Sequence, residues 1–126
     1  MAPLFRSSLE AGLAPRVFED GGQRRDFVHV DDVAAAVAAA ATADVPPADV
    51  RAYNVGSGHV TTVGQMATAL ARATRGPDPV VTGEFRLGDV RHVTASRDRA
   101  AAELGWRARI SLDDGIRALL ASPPPR

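Results

Sequence analysis

Two adjacent arginines, Arg24 and Arg25, stand where a turn gives way to a strand in the stretch R-V-F-E-D-G-G-Q-R-R-D-F-V-H-V-D-D-V, residues 16–33. A guanidinium at such a junction is held by flanking backbone, and its rigid fork of donors matches phosphate oxygens. The chemistry this points to is anion binding, with phosphate as the first candidate. A second basic group, Arg86, Arg91 and His92, falls in an irregular segment between Gly83 and Val93. Asp31 and Asp32 have the look of a metal or acid/base pair. Capping of a helix explains them fully, and no His follows at ligand spacing. His29, His59 and His92 stand alone and read as structural or solvated. Asn54, just before a Gly turn, reads as a turn cap. The turn Gly56-Ser57-Gly58 suits an anion, but a plain turn is the simpler reading.

These residues must be positioned by alternating short strands and helices. Arg16–Phe18 and Phe27–Val30 read as strands on either side of the acidic Gly-Gly turn. Before them, residues 4–12 read as the tail of a helix with Leu4, Phe5, Ser8 and Leu9 on one face and Gly12 as its stop. After them, Asp31 is the expected N-cap of a helix over Asp32–Ala43. That helix is almost all Ala and Val, and such a helix is expected to be buried on most sides. Residues 44–49 form a loop around Pro46-Pro47, and Ala52–Val55 a short strand. Thr62 and Gln65 make a capping box for a helix Val63–Thr74 with Val63, Met66, Ala67, Leu70 and Ala73 on its inner face. Pro79–Thr82 is a further strand. Ser96 opens a helix that ends near Leu104 at Gly105, followed by Trp106 as a core anchor. Ser111 and Asp114 cap a last helix, Leu112–Ala121, and residues 122–126 form a disordered tail.

Composition narrows the function classes. The chain has 126 residues, enough for one domain, with 45% hydrophobic and 24% charged residues, which is ordinary globular usage. Net charge is zero and aromatics are only 5% of residues, so there is neither a basic field nor a stacking platform for nucleic acid. There is no cysteine, hence no disulfide framework and no thiolate chemistry. No apolar run approaches the ~20 residues that span a bilayer, and no secretory signal is evident. The expected location is the cytoplasm, without nucleic-acid or membrane partners. All fifteen basic residues are arginine, so any mechanism that needs a lysine amine cannot run on this chain alone.

The motifs R-D-F-V-H-V-D-D-V, Y-N-V-G-S-G, F-R-L-G-D-V-R-H, E-L-G-W and S-L-D-D-G-I follow one another at familiar separations. Together they resemble the C-terminal part of the extended short-chain dehydrogenase/reductases, the NAD-dependent sugar-nucleotide epimerases and dehydratases, with the closest likeness to UDP-glucose 4-epimerase-like and dTDP-glucose 4,6-dehydratase-like members. The likeness runs from about Phe5 to Leu120. The family's N-terminal half is a Rossmann domain with a Gly-rich turn and a Tyr-x-x-x-Lys pair. Here Tyr53 is the single tyrosine, lysine is absent, and Gly56-Ser57-Gly58 lacks the third Gly of a dinucleotide fingerprint.

The resemblance therefore implies a small mixed α/β substrate-binding lobe, residues 1–121, that lacks the complete Rossmann domain. It also implies apolar surface left uncovered where that domain would sit. Arg25 matches the arginine that contacts the nucleotide diphosphate, the bland alternative being an ion pair with Asp26 or Glu19. Arg86 and Asp89 match positions near phosphate and ribose, the alternative being a surface pair with each other. Arg16, Val17 and Phe18 match a strand that packs on the base through backbone and ring, although an aromatic there also suits an ordinary core. No catalytic, cofactor-binding or metal residue is assigned. The implied partner is a UDP- or dTDP-sugar. NAD belongs to the full-length family rather than to this chain alone. The chain reads as a truncated, pseudogene-derived or split form, inactive by itself; the alternatives are a non-catalytic nucleotide-binding module or an interaction subunit that completes a separate cofactor lobe.

Overall fold

The helix Val63–Thr74 (α3) is the element around which the larger of two cores is built. Val63, Met66, Ala67, Leu70 and Ala71 recur every three or four positions, so one stripe of the helix is apolar and buried. Its start is set by a reciprocal capping box: Gln65 N–H donates to Thr62 Oγ1 at 3.1 Å, and Thr62 N–H donates to Gln65 Oε1 at 2.8 Å. Ala73, expected on the inner face, is exposed, and Ala71 takes its place. Spacing does not separate the two, since 71 lies four after Ala67 and 73 three after Leu70; which of them is covered is decided by what packs against the last turn of the helix. The computed structural model describes residues 1–44 and 50–123. Most of the Pro46-Pro47 loop and the last three residues lie outside the described residues.

Around α3 the described residues form four further helices and four short strands. In chain order these are α1 (Ala2–Glu10), β1 (Arg16–Val17), β2 (Arg24–Asp26), α2 (Val30–Thr42), β3 (Val60–Thr62), α3, β4 (Val80–Val81), α4 (Asp98–Leu104) and α5 (Leu112–Ala121). The fold is thus small, mixed α/β, with no doubly wound sheet among the described residues. β1 pairs parallel with β4, Arg16 opposite Val80. β2 pairs antiparallel with β3, Arg25 opposite Thr61. One core joins Phe5 and Leu9 of α1, Val17 of β1, the α3 stripe and Ile116 of α5. A buried leucine such as Leu70 contributes about 2 kcal/mol over leaving it in water. Arg6 ties this core's rim together. Its guanidinium donates to Leu119 O at 2.7 Å and Ser122 O at 2.8 Å, supplying donors to the open carbonyls at the end of α5.

A second, smaller core holds Ala36 of α2, Ala100 of α4 and Trp106. The Trp106 indole donates to Asp32 O at 3.1 Å. Gly105 ends α4 in the left-handed region at φ 62°, as its position in the sequence suggests.

Several sequence expectations are corrected here. The second strand runs over Arg24–Asp26 rather than Phe27–Val30, because its ladder partner β3 ends opposite Asp26. Ala52–Val55 forms no strand: within the described residues no backbone edge pairs with it. His29, not Asp31, caps α2, its Nδ1 accepting the Asp31 N–H at 3.2 Å. Asp32 is buried and serves a distant loop instead, accepting from Arg109 N–H (3.1 Å) and Ile110 N–H (2.9 Å). The Ala/Val helix is not buried on most sides. Its buried residues are Asp32 and Ala36 alone, while Val30 and Val37 are 71% and 63% exposed. Its packing partners here, α4 and Trp106, cover a single flank. Ser96 precedes α4 by two positions and bonds Asp98 N–H at 3.1 Å without being the N-cap residue.

Candidate functional site: a basic cleft beside strand β1

Four segments meet around one cleft of about 340 Å³. β1 and the residue after it carry Arg16 and Phe18; β2 carries Arg25; the irregular segment between β4 and α4 carries Arg86 and Asp89; α1 supplies an apolar wall with Leu4 and Phe5. Strand alternation explains which β1 residues reach it. Arg16 and Phe18 point to the cleft, and Val17 between them points into the core at 1% exposure. Of the six residues singled out from sequence, five line the cleft. The Val17 side chain does not, and its carbonyl is occupied by Thr82 N–H at 2.9 Å.

The charge balance of the cleft is set by who pairs with whom. Arg16 is matched to Glu84 at 2.5 Å. Glu19, which also lines the cleft, is matched to Arg91 at 2.5 Å, and Arg91 reaches Asp20 at 2.6 Å. The Arg91 guanidinium, with the Gly22 N–H, holds the Asp20 carboxyl below its ordinary value. Asp20 in turn raises Arg91. Arg25 and Arg86, by contrast, have no carboxylate within 4.0 Å among the described residues. Neither the Arg25 pair with Asp26 or Glu19 nor the Arg86–Asp89 pair is formed. The cleft thus holds two cations without a carboxylate partner, beside Glu19, which Arg91 neutralises, and Asp89, which pairs with no cation among the described residues.

Each of these two arginines is oriented. Arg25 donates three hydrogen bonds, to Arg24 O, Arg91 O and Val90 O, all at 2.8 Å. Its Nε–H and one Nη2 hydrogen remain for another acceptor. Arg86 lies over the Phe18 ring, 5.5 Å from the centroid, a cation–π contact. Gln23 closes the floor. Its amide donates to Phe18 O at 3.0 Å, and its Oε1 is buried with no partner among the described residues. Only the orphaned acceptor marks Gln23 out, and the sequence pattern carried no signal for it.

The turn Gly56-Ser57-Gly58 is a structural clasp rather than an anion cradle. Ser57 donates from its N–H (2.8 Å) and Oγ (2.5 Å) to Asp26 Oδ1, and its carbonyl accepts from Arg97. Gly58 sits at φ 78°, with the Arg97 guanidinium so close that an added Cβ would collide with it. The sequence reading passed over both Asp26 and Arg97 in this role. With its amide spent and its mouth covered, this turn does not fit a dinucleotide pyrophosphate. Tyr53 is equally committed. Its hydroxyl donates to Glu103 at 2.9 Å, which raises the phenol above its ordinary value, and it does not line the cleft.

Comparison with known proteins agrees with the motifs. Residues 1–56 match the NAD dependent epimerase/dehydratase family. The chain is 40% identical to dTDP-L-rhamnose 4-epimerase of Burkholderia thailandensis over 100 residues, which is 79% of this chain and 27% of that protein. It is 37% identical to UDP-glucose 4-epimerase of Mycolicibacterium smegmatis over 113 residues, 90% of this chain and 35% of that one. The structure superposes with a TM-score of 0.81 on UDP-glucose 4-epimerase of Thermotoga maritima solved with UDP-glucose, at 32% identity, covering 92% of this chain and 36% of that one. The chain belongs to the NAD-dependent epimerase/dehydratase family. It spans about a third of the length of the relatives it matches. No helix among the described residues is long and apolar enough to cross a membrane.

Proposed function

We propose that this chain is the nucleotide-sugar-binding portion of a sugar-nucleotide epimerase or dehydratase, corresponding to the C-terminal lobe of the family and acting as one unit over residues 1–121. The observation that carries the reading is the meeting of Arg25 and Arg86, unpaired by any described carboxylate, in one cleft with Phe18 and Asp89. Arg25 and Arg86 take the diphosphate. Arginine suits that task through its planar fork and permanent charge. Asp89 accepts from the ribose hydroxyls, and Phe18 offers its ring to the base. Arg16 flanks the base site from the same strand. A cleft of about 340 Å³ is within the size range of small-molecule sites. The names of the relatives support a UDP- or dTDP-sugar as the ligand.

Redox chemistry at a sugar carbon is the business of NAD in this family, and the residues described here do not supply its site. The Gly56-Ser57-Gly58 amide is bound to Asp26, and no lysine accompanies Tyr53. We therefore assign the chain binding and orientation of substrate, with no catalytic residue of its own and with a cofactor lobe supplied by further sequence or by a separate chain. Titration calorimetry with UDP and dTDP tests the reading. Binding to the wild type that weakens about tenfold in Arg86→Ala, at unchanged far-UV circular dichroism, is the expected result. No heat with either nucleotide, under conditions where the chain is folded, would rule it out.

A further inference from the structure

We propose that Arg91 is a positioning residue, which clasps the 83–92 segment onto the Glu19–Asp20 turn and so sets Arg86 and Asp89 against the cleft. For what the cleft holds, the inference rests on the nucleotide-sugar reading; for the clasp itself it does not.

Apart from the Arg16–Glu84 ion pair and the contact of Arg86 with the Phe18 ring, the segment has little else to hold it. It forms no ladder beyond one bridge between Arg24 and His92. Its ends are tied by Glu19 N–H to Glu84 O at 2.7 Å and by Val93 N–H to Arg24 O at 3.0 Å. Between them every residue from 83 to 92 is exposed. Phe85 and Leu87, the side chains able to dock it, are 70% and 96% exposed and anchor nothing. Gly83 and Gly88 both lie at positive φ, with no atom within 4 Å of where a Cβ would be, so local crowding does not define the path either. The rest of the path is set by polar contacts at residues 90 and 91. Arg25 reaches in to the carbonyls of Val90 and Arg91, and Arg91 reaches back to Glu19 and Asp20.

The geometry of Arg91 is specific to a guanidinium. One Nη bonds Glu19 Oε2 and the other bonds Asp20 Oδ2. An ammonium is a point charge and cannot span two carboxylates in this parallel way. The two carboxylates are themselves fixed. Asp20 Oδ1 accepts from Gly22 N–H at 2.8 Å, and Glu19 is held at φ 52°, in the left-handed region. Arg91 also masks the charge of Glu19, which lines the cleft beside Phe18 and would otherwise face an incoming diphosphate. The clasp therefore acts twice, through the path of the segment and through the field in the cleft, with no contact to the ligand required.

The test compares the full chain with Arg91→Ala, Arg91→Lys, Asp20→Asn and the Arg91→Ala/Asp20→Asn double variant, using UDP calorimetry and amide hydrogen exchange. Arg91→Ala is expected to bind UDP about fivefold to tenfold more weakly and to speed exchange at the hydrogen-bonded amides within 84–90, those of Glu84 and Asp89, with α3 and α5 unaffected. Arg91→Lys should recover only part of the affinity. In the Arg91→Ala background, Asp20→Asn should cost nothing further, the non-additivity expected of groups that act as a pair. Affinity within about twofold of wild type in Arg91→Ala, or weaker binding without faster exchange in the segment, overturns the proposal. The second of these would mean that Arg91 meets the ligand directly. If the wild type does not bind UDP at all, the nucleotide-sugar reading is what fails, and the clasp stands or falls on the exchange at 84–90.

Discussion

Replacing Asp32 by alanine probes the joint between the two cores. The Asp32 carboxylate is 5% exposed and accepts two backbone N–H groups from the loop before α5, Arg109 at 3.1 Å to both oxygens and Ile110 at 2.9 Å. Hydrogen bonds to a charged acceptor contribute about 1.5 kcal/mol or more each, and removal leaves two partly buried donors without a partner. The expected loss is about 3 kcal/mol, which for a chain of this size lowers the melting temperature by about 10 °C. Urea unfolding reports the free energy, with an unchanged m-value as the sign that the two end states are the same. The single tryptophan reports the place: Trp106 is buried, and its indole donates to the carbonyl of the same Asp32. Its emission should move to longer wavelength in the variant as the loop loosens. Asp32→Asn keeps the shape but turns an amide NH₂ toward a backbone N–H, and should recover only part of the loss. A cost under about 1 kcal/mol in Asp32→Ala, with Trp106 emission unchanged, would refute the reasoning, because the two amides would then have found other acceptors at no expense.

Two more outcomes follow from the same structure. Gly58→Ala places a Cβ against Arg97 at a backbone angle that L-residues avoid, and should destabilise by about 1–2 kcal/mol in urea unfolding; a neutral result would mean that Arg97 is not held over the turn. Acid should weaken the fold through Asp20, Asp114 and Glu103. Their partners Arg91 (for Asp20), Ser111 and Arg117 (for Asp114), and Tyr53 and Arg51 (for Glu103) hold all three carboxyls below their ordinary values of 3.8, 3.8 and 4.5. A depressed carboxyl stabilises the fold above its unfolded value, and that share is lost as pH falls through the folded one. The urea midpoint should therefore begin to drop below about pH 4.5 and go on dropping below about pH 3.8, less steeply in high salt because these groups are exposed. A midpoint that stays flat down to about pH 3 would contradict the pairing.

The starts of α3 and α5 and the end of α4 were readable because each is decided within a few residues, whereas the starts of α2 and α4 were misplaced. Val63–Thr74 and Leu112–Ala121 follow from Thr62 with Gln65 and from Ser111 with Asp114, where a side chain meets a backbone group one turn away. Gly105 at the end of α4 is equally local. The family, and with it the small mixed α/β lobe, was legible from five motifs in order, since motif order survives without any knowledge of contacts. Pairing and burial were not legible. Ala52–Val55 has the composition of a strand but no edge to join among the described residues, while Val60–Thr62, of which only Thr62 was read, as a helix cap, pairs with β2. The Ala/Val helix α2 has the composition of a buried element, yet burial needs neighbours on several sides, and here one flank alone is covered. Asp32 read as a helix-start charge because its true acceptor role lies 77 and 78 residues away.

The amino-acid sequence alone determined the boundaries of α3 and α5, the family and the residue types suited to a diphosphate, because these depend on nearest neighbours and on side-chain chemistry. Only the tertiary structure decided that Arg25 is pinned to carbonyls 65 and 66 residues further on, that Arg86 lies on Phe18, and that Glu19 and Asp20 are neutralised by Arg91. Those are long-range contacts, whose formation depends on every element between them packing first.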